Sequence, residues 1–192
     1  VPFTPRPLDG VPAKAAVAGS TKAALARPTP VSAARILPDG LSEHEYVDRF
    51  LAEFGTQTGK PTVFRDVLNE PLVISERLFQ SASGEWKITK DDRHRYVLLL
   101  ADTIKTPDEV WAYWEALASR PGQSRLVRRY IKAFDVQQDG QQFGYGVFEL
   151  REEGWLGATL FMPRQDRSEA ARRKYIEAQR VGQLIYQRKD EE

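Results

Sequence analysis

Residues 125–162 read RLVRRYIKAFDVQQDGQQFGYGVFELREEGWLGATLFM and contain the clearest strand signals in the chain. Its first ten residues alternate in polarity, with Val127 and Ile131 on one side and Arg128 and Lys132 on the other, which is the period of a half-buried strand. The turn signals QQDGQQ and REEG separate it from two further strand-like runs, FGYGVFEL and WLGATLFM. We therefore predict three consecutive antiparallel strands.

A short helix and further strands are predicted on either side of this stretch. The segment SEAARRKYIEAQR, residues 168–180, is typical of a helix, and GQLIYQR, residues 182–188, is typical of a last strand. Earlier in the chain, TVF at residues 62–64 and PLVIS at residues 71–75 predict two short extended segments around a turn.

Helix signals dominate the first half of the chain. Ser42 and Glu45 have the spacing of a capping box ahead of an apolar helical face. Thr89 is expected to cap a second helix, and TPDE at residues 106–109 is expected to begin a third. This order of elements indicates an α+β fold in which N-terminal helices pack on a four-stranded antiparallel sheet.

Composition excludes several kinds of chemistry. The chain has 192 residues and a net charge of +1, with 41% hydrophobic and 29% charged residues, which are ordinary values for a globular protein. It contains no cysteine and only two histidines, His44 and His94, so disulfides, thiolate catalysis and three-histidine metal sites are excluded. No apolar run approaches the roughly 20 residues of a membrane-spanning helix. We expect no cofactor, no metal and no membrane contact.

Residues 1–40 are interpreted as an extended arm or linker, and residues 41–192 as the folded domain. The arm is rich in Pro, Ala, Gly and Ser and has few large apolar residues, too few to offset the entropy of ordering it alone. An ordered arm of this kind has to lie against its own domain or a partner chain, so we expect an assembly context.

Two groups of cations interrupt an otherwise balanced sequence. One extends from Arg120 to Lys132 and contains no acid, and the other extends from Arg164 to Lys189. Clustered cations of this kind can contact phosphates. The alternative is a hydrated surface whose charges are paired by distant acids.

The first predicted strand has Arg128, Tyr130 and Lys132 on one face, and Thr159 and Tyr186 join them if the strands align. Such a face can hold a phosphodiester, because arginine stabilises charge on phosphorus and hydroxyl groups position protons. RNA cleavage needs no metal, since the ribose 2′-hydroxyl is the nucleophile. The alternative is a sheet whose outer face is simply hydrated.

Several blocks of the chain resemble a known nuclease group in their order. They are DVLNEPLVISERLF, KITKDDRHRYVLLLADTIKTPDEVW, RLVRRYIKAF, GWLGATLF and RVGQLIY. Over about residues 36–188 they resemble the phage-encoded branch of the barnase–EndoU–colicin E5/D–RelE-like nuclease superfamily. Such domains occur at the C-terminus of Mu-like phage head morphogenesis (minor head) proteins. The resemblance implies helices packed on a four-stranded antiparallel sheet with the site on its open face.

The resemblance also implies roles for individual residues. Arg93 and Arg128 are expected to bind the scissile phosphate. Thr159 and Tyr186 are expected to orient it or transfer a proton, with His94 as a candidate general base. Substrate binding is expected of four further cations: Lys90, Arg129, Lys132 and Arg180.

The sequence is therefore interpreted as a metal-independent RNase-like domain of a phage or prophage head morphogenesis protein, giving 2′,3′-cyclic phosphate ends. RNA is one expected partner, and phage head or portal proteins are expected to contact residues 1–40. The expected location is the virion or the host cytoplasm. Two alternatives stay open: a catalytically inactive head or neck protein that uses the fold for assembly, and a secreted toxin nuclease.

Overall fold

The structure is a computed structural model that describes residues 25–163 and 167–190. Within these ranges the α-helices are α1 (Glu43–Ala52), α2 (Val97–Lys105) and α3 (Glu169–Gln179). The strands are β1 (Thr29–Val31), β2 (Thr62–Arg65), β3 (Pro71–Ile74), β4 (Glu109–Ala116), β5 (Ser124–Val136), β6 (Gly140–Arg151), β7 (Gly154–Phe161) and β8 (Gln183–Gln187). Short 3₁₀ segments lie at Ala33–Arg35, Glu76–Phe79 and Lys90–Tyr96. No helix in the described ranges is long and apolar enough to span a membrane.

The described strands form one mixed sheet with the order β2-β3-β7-β6-β5-β4-β8. β1 lies off this path and pairs in parallel with the end of β5, and β3 pairs in parallel with β7. The remaining pairs are antiparallel. The α+β class, the β5–β6–β7 meander and the last strand are therefore confirmed. The predicted four strands are too few, because β1 to β4 also join the sheet.

The segment after Thr106 forms β4, and the helix predicted there is wrong. All eight residues of β4 pair with β5. The residues that suggested a helix cap serve other elements: Thr106 donates its hydroxyl hydrogen to the Asp102 carbonyl at the end of α2, and the Asp108 carboxylate accepts the Ala133 backbone N–H. Pairing with a long neighbouring strand outweighs the local capping signal, and the aromatic residues of the segment favour a strand.

The capping box of α1 is confirmed. The Ser42 side chain accepts the Glu45 backbone N–H, and the Glu45 carboxylate accepts the Ser42 backbone N–H. Tyr46 donates its hydroxyl hydrogen to the Pro38 carbonyl at 2.6 Å. This hydrogen bond fixes the position of the segment that precedes α1. The buried face of α1 consists of Tyr46, Val47, Phe50 and Leu51.

The helix expected after Thr89 begins later, as α2. Thr89 makes no side-chain cap, and a 3₁₀ segment precedes α2. That segment is interrupted at Asp91 and Asp92, which both have a φ of 57°. Aspartate adopts this left-handed region more readily than most residues, and its occurrence at two consecutive positions marks a local strain of the kind found near functional sites.

The two faces of the sheet are covered differently. Even-numbered residues of β5, such as Leu126 and Tyr130, pack into the larger core beneath α1 and α2, and we call this side the helix-covered face. Odd-numbered residues, such as Arg129 and Ile131, lie on the other side, which we call the open face. There α3 covers one end of the sheet and forms a smaller core that includes Ile176. The rest of the open face includes Arg129 and Tyr145, which are 6% and 4% exposed.

Residues 25–40 lie on this domain. β1 pairs with Phe134–Val136 of β5. Leu37 is buried in the larger core, and its backbone N–H donates to the Arg95 carbonyl at 2.9 Å. Residues 1–24 of the predicted arm lie outside the described residues, and contact of the arm with other proteins stays a prediction.

Candidate functional site

The alternation of β5 divides the predicted site residues into two sets. Arg128, Tyr130 and Lys132 share one face, as the sequence predicts, and all three are buried on the helix-covered face. Arg129 lies on the open face, opposite them. The shared face is therefore the packed side of the sheet and not the accessible one.

Arg128 belongs to a buried ionic cluster. Its guanidinium lies 2.5 Å from Glu70 and 3.4 Å from Asp66, and it stacks over the Trp155 ring at 4.2 Å. The Trp155 indole N–H donates to Glu70 at 2.7 Å, and the Tyr130 hydroxyl donates to Asp66 at 2.5 Å. Burial raises the pKa of Tyr130 well above its ordinary value, so this hydroxyl remains a donor. The cluster joins the loop between β2 and β3 to the centre of the sheet.

Lys132 and Arg180 are also held in buried ion pairs. Lys132 donates to the Thr106 carbonyl at 2.7 Å and lies 3.5 Å from Asp108. Burial lowers the pKa of Lys132 and raises that of Asp108. Arg180 lies 2.6 Å from Glu109. Both cations are thus engaged with carboxylates at the start of β4.

A β-bulge in β7 separates Thr159 from Arg128. The sequence predicts Gly157 and Thr159 on one face, but the register between β6 and β7 shifts between them, at Ala158. The extra residue breaks the two-residue alternation, so Gly157 lies on the helix-covered face and Thr159 on the open face. Tyr186 of β8 packs against the larger core. The expected cluster of Arg93, Arg128, Thr159 and Tyr186 is therefore not formed.

The residues predicted from the helix block lie at the end of β7 and beside α1. Arg93 is buried and donates to a β7 carbonyl at 3.1 Å, with its guanidinium 5.9 Å from the Phe161 ring. Burial lowers the pKa of Arg93. His94 is hydrogen-bonded to Asp39 at 2.7 Å, and Lys90 is exposed. Arg93 reaches the margin of the open face, whereas His94 is engaged elsewhere.

The open face contains a group of residues around Arg129 that we call the tyrosine basin: Tyr113, Arg129, Tyr145, Tyr175 and Gln179. The Arg129 Nε donates to the Tyr113 hydroxyl at 2.9 Å. Its Nη1 donates to the Gln179 side-chain oxygen at 2.8 Å and to the Gln179 carbonyl at 3.1 Å. The guanidinium lies 4.8 Å from the Tyr113 ring and 5.5 Å from the Tyr145 ring. These contacts fix the position of the cation.

An aromatic row connects the tyrosine basin to Arg93. The Phe161 ring contacts the Tyr145 ring at 4.9 Å and the Tyr175 ring at 5.9 Å, measured between centroids. A cavity of about 180 Å³ opens at this end of the row. Its lining consists of Asp91, Phe161, Met162, Pro163, Arg167 and Tyr175.

Arg129 has no carboxylate partner among the residues that the structure describes, although only 6% of it is exposed. Arg128, by contrast, has two such partners. A buried cation without a counter-charge costs free energy, and the faces of aromatic rings recover only part of that cost. An anion bound at Arg129 would recover this cost.

The tyrosines of the basin stay protonated at neutral pH. Burial raises the pKa of Tyr113, Tyr145 and Tyr175, and the positive charge of Arg129 opposes this rise without cancelling it. The negative charge of Glu115 adds to the rise for Tyr113 and Tyr145. A protonated phenol is a hydrogen-bond donor, so the basin combines a fixed cation with several O–H groups.

Sequence reasoning misses these tyrosines. Tyr113 lies in a segment whose capping signal predicts a helix, and Tyr145 lies between two glycines that suggest a bend. The aromatic residues of EVWAYWEA, residues 109–116, are the signal that favours a strand there. The two-residue period of a strand then places Tyr113 on the same face as Trp111, which pairs with Arg129. Of the predicted site residues, the structure brings four to the open face or its margin: Arg93, Arg129, Thr159 and Arg180.

The chain folds into an α+β domain with α1 and α2 on one face of the sheet. On the other face, beside α3, lies the group of tyrosines around Arg129. In the described part of the chain no three His, Cys, Asp or Glu side chains come together as metal ligands do.

Comparison with known families agrees with this class. The family described as phage-Barnase-EndoU-ColicinE5/D-RelE like nuclease 2 matches residues 49–187, nearly three quarters of the chain. The chain belongs to this family, and its nuclease-type fold is thereby confirmed. No curated protein and no solved structure gives a significant match. The head morphogenesis context stays a prediction.

Proposed function

We propose that the tyrosine basin binds a phosphodiester of RNA at Arg129 and that the domain cleaves it without a metal ion. The main support is the Arg129 guanidinium, which is buried without a carboxylate partner in the described ranges and is framed by protonated tyrosines. A phosphodiester supplies the missing negative charge and accepts hydrogen bonds at its oxygens. Phe161 and Tyr175, which are partly exposed, are the aromatic rings nearby on which bases can stack. The family match supports the nuclease class of the reaction.

RNA supplies its own nucleophile in this reaction. The ribose 2′-oxygen forms a bond to phosphorus while the bond from phosphorus to the 5′-oxygen breaks, which leaves a 2′,3′-cyclic phosphate and a 5′-hydroxyl. A base accepts the 2′-hydroxyl proton, and an acid gives a proton to the leaving oxygen. Arg129 and the tyrosine O–H groups stabilise the negative charge that develops on the phosphoryl oxygens.

We assign the general base to Glu115 on β4. Glu115 follows Tyr113 by two residues on β4 and therefore lies on the same face of the sheet, and Arg125 holds its carboxylate at 2.8 Å. The predicted base His94 is hydrogen-bonded to Asp39 instead. The tyrosine O–H groups of the basin are the donors that face the leaving oxygen in this proposal.

Replacement of Arg129 tests the proposed function. We expect wild-type protein to cleave single-stranded RNA in EDTA with 2′,3′-cyclic ends, and Arg129→Gln to lose at least about 10²-fold in rate, as removal of one key electrostatic contact does. Arg49→Gln removes an exposed cation of α1 and is expected to keep full activity.

The same variant separates a binding role from a structural one. Because Arg129 is a buried cation without a carboxylate partner in the described residues, Arg129→Gln is expected to keep or raise the melting temperature, as happens when a functional site is relieved of strain. A lowered melting temperature together with full activity would overturn the assignment. No cleavage of varied RNAs and tRNAs by wild-type protein would overturn the enzyme proposal and favour the assembly alternative.

We further propose that the domain acts within a phage or prophage head morphogenesis protein, in the virion or the host cytoplasm. The phage origin in the family's description supports this context. A secreted toxin nuclease of the same fold is the competing reading, and it differs in requiring a neutralising partner protein.

A further inference from the structure

A cleft lies at the edge of β7, at the far end of the sheet from α3. It has a volume of about 610 Å³ and is open to solvent. One wall is formed by the 3₁₀ segment Glu76–Phe79 and the loop that follows it, and the other by the ends of β6 and β7. Its lining includes three cations: Arg77, Lys87 and Arg151.

The cleft carries an excess of positive charge. Arg77 and Lys87 have no carboxylate within salt-bridge distance in the part of the chain that the structure describes, whereas Arg151 lies 3.1 Å from Glu149. Glu149 is shared with Arg125, 2.5 Å away. Glu149 is thus already paired with two cations, which leaves the charges of Arg77 and Lys87 available to a ligand.

The cleft borders the row of open-face residues that runs along β6 from the tyrosine basin, because Glu149 of that row lines the cleft. Tyr145, Val147 and Glu149 follow one another on that face of β6, and the distance from Tyr145 to Glu149 is about 13 Å at the usual rise of a strand. Thr159 pairs with Val147, halfway along this row. The β7 bulge residue Ala158, next to Thr159, already lines the cleft. The open face of β6 therefore joins the tyrosine basin to the margin of the cleft over about 13 Å.

We infer that this cleft is a second phosphate-binding subsite, which holds the backbone of single-stranded RNA next to the phosphodiester in the tyrosine basin. The inference rests on the proposed function of the basin. Proteins that bind single strands combine cations, which follow the backbone, with aromatic side chains, on which bases stack. Here the cleft contains the cations, and Phe161 and Tyr175 of the aromatic row are the partly exposed rings. Thr159 lies where the RNA strand would cross from one subsite to the other.

The test compares two double variants that each remove two positive charges. Arg77→Gln/Lys87→Gln alters the cleft, and Arg49→Gln/Lys60→Gln alters exposed cations near α1. Binding of a fluorescent RNA of about eight nucleotides is measured against salt concentration, since single-strand sites span several nucleotides. Loss of two phosphate contacts is expected to reduce the slope of log affinity against log salt by about 1.4, from about 0.7 per contact. The control is expected to keep the wild-type slope.

Substrate length distinguishes this inference from the proposed function. A dinucleotide reaches only the tyrosine basin, so its cleavage is expected to be unchanged in Arg77→Gln/Lys87→Gln and strongly reduced in Arg129→Gln. The cleft assignment is overturned if Arg77→Gln/Lys87→Gln binds the longer RNA with wild-type slope and affinity, even while Arg129→Gln loses cleavage. If wild-type protein binds the longer RNA no better than a dinucleotide, the cleft assignment fails as well.

Discussion

Removal of the Arg128 side chain is expected to destabilise the fold strongly, in contrast to removal of its neighbour Arg129. Arg128 lies between Glu70 and Asp66, and the three side chains are 3%, 6% and 0% exposed. Arg128→Ala leaves two carboxylates buried without their cation and removes the contact with the Trp155 ring. Breaking a buried pair in this way costs about 3–5 kcal/mol.

Urea denaturation measures this loss directly. A loss of about 4 kcal/mol corresponds to a fall of roughly 2 M in the urea midpoint for a slope near 2 kcal/mol/M. Domains of this kind are stable by only about 5–15 kcal/mol, so the variant is expected to be marginal. Arg128→Lys keeps a charge near Glu70 and is expected to lose less.

Arg151→Ala is the matched control, because this β6 arginine also pairs with a carboxylate but its side chain is 57% exposed. It is expected to change stability by less than about 0.5 kcal/mol. A loss below about 1 kcal/mol for Arg128→Ala, with the variant folded, would refute the buried cluster as a determinant of stability. The prediction also means that lost cleavage in Arg128→Ala would report unfolding, so Arg129 is the informative position.

Two further outcomes are expected. Burial and the hydrogen bond to Asp139 raise the pKa of Tyr96 to about 12. The folded state therefore keeps a proton on Tyr96 that the unfolded state loses near pH 10. Because of this difference, the free energy of unfolding is expected to fall between about pH 10 and pH 12. When denaturation is measured as a function of pH, the free energy of unfolding of Tyr96→Phe is expected to fall less than that of wild type. An equal fall would contradict the assignment to Tyr96. For the phage context, fractionation of particles from an induced prophage is expected to find the chain with head proteins, and its presence only among secreted proteins would favour the toxin alternative.

The sequence predicts the elements whose signals are local. The α1 capping box needs only Ser42 and Glu45, and the β5–β6–β7 meander needs only alternation and two turns. The helix predicted at residues 106–109 fails because pairing with β5, which local signals do not report, outweighs a good cap. The strand count fails for the same reason, since β1 and β3 find their partners far along the chain.

The site was predictable only in part, because it is assembled across the chain. The sequence indicates Arg129 as a phosphate-binding candidate. It does not indicate which face of β5 the helices α1 and α2 leave uncovered. Thr159 reaches the same face as Arg129 only through the bulge at Ala158, which no turn residue in the sequence announces. The basin further requires β4, β6 and α3 to converge, and no spacing rule connects them.

The pairing of β1 with β5 limits where an N-terminal truncation of the domain can begin. β4 accompanies β5 only as far as Ile131, and β1 covers the stretch from Phe134 to Val136. A truncated protein that starts at Leu41 would leave the backbone hydrogen-bonding groups of Phe134–Val136 unpaired. Unpaired strand edges pair with other chains and promote aggregation. β1 therefore also prevents the end of β5 from pairing with a strand of a neighbouring molecule.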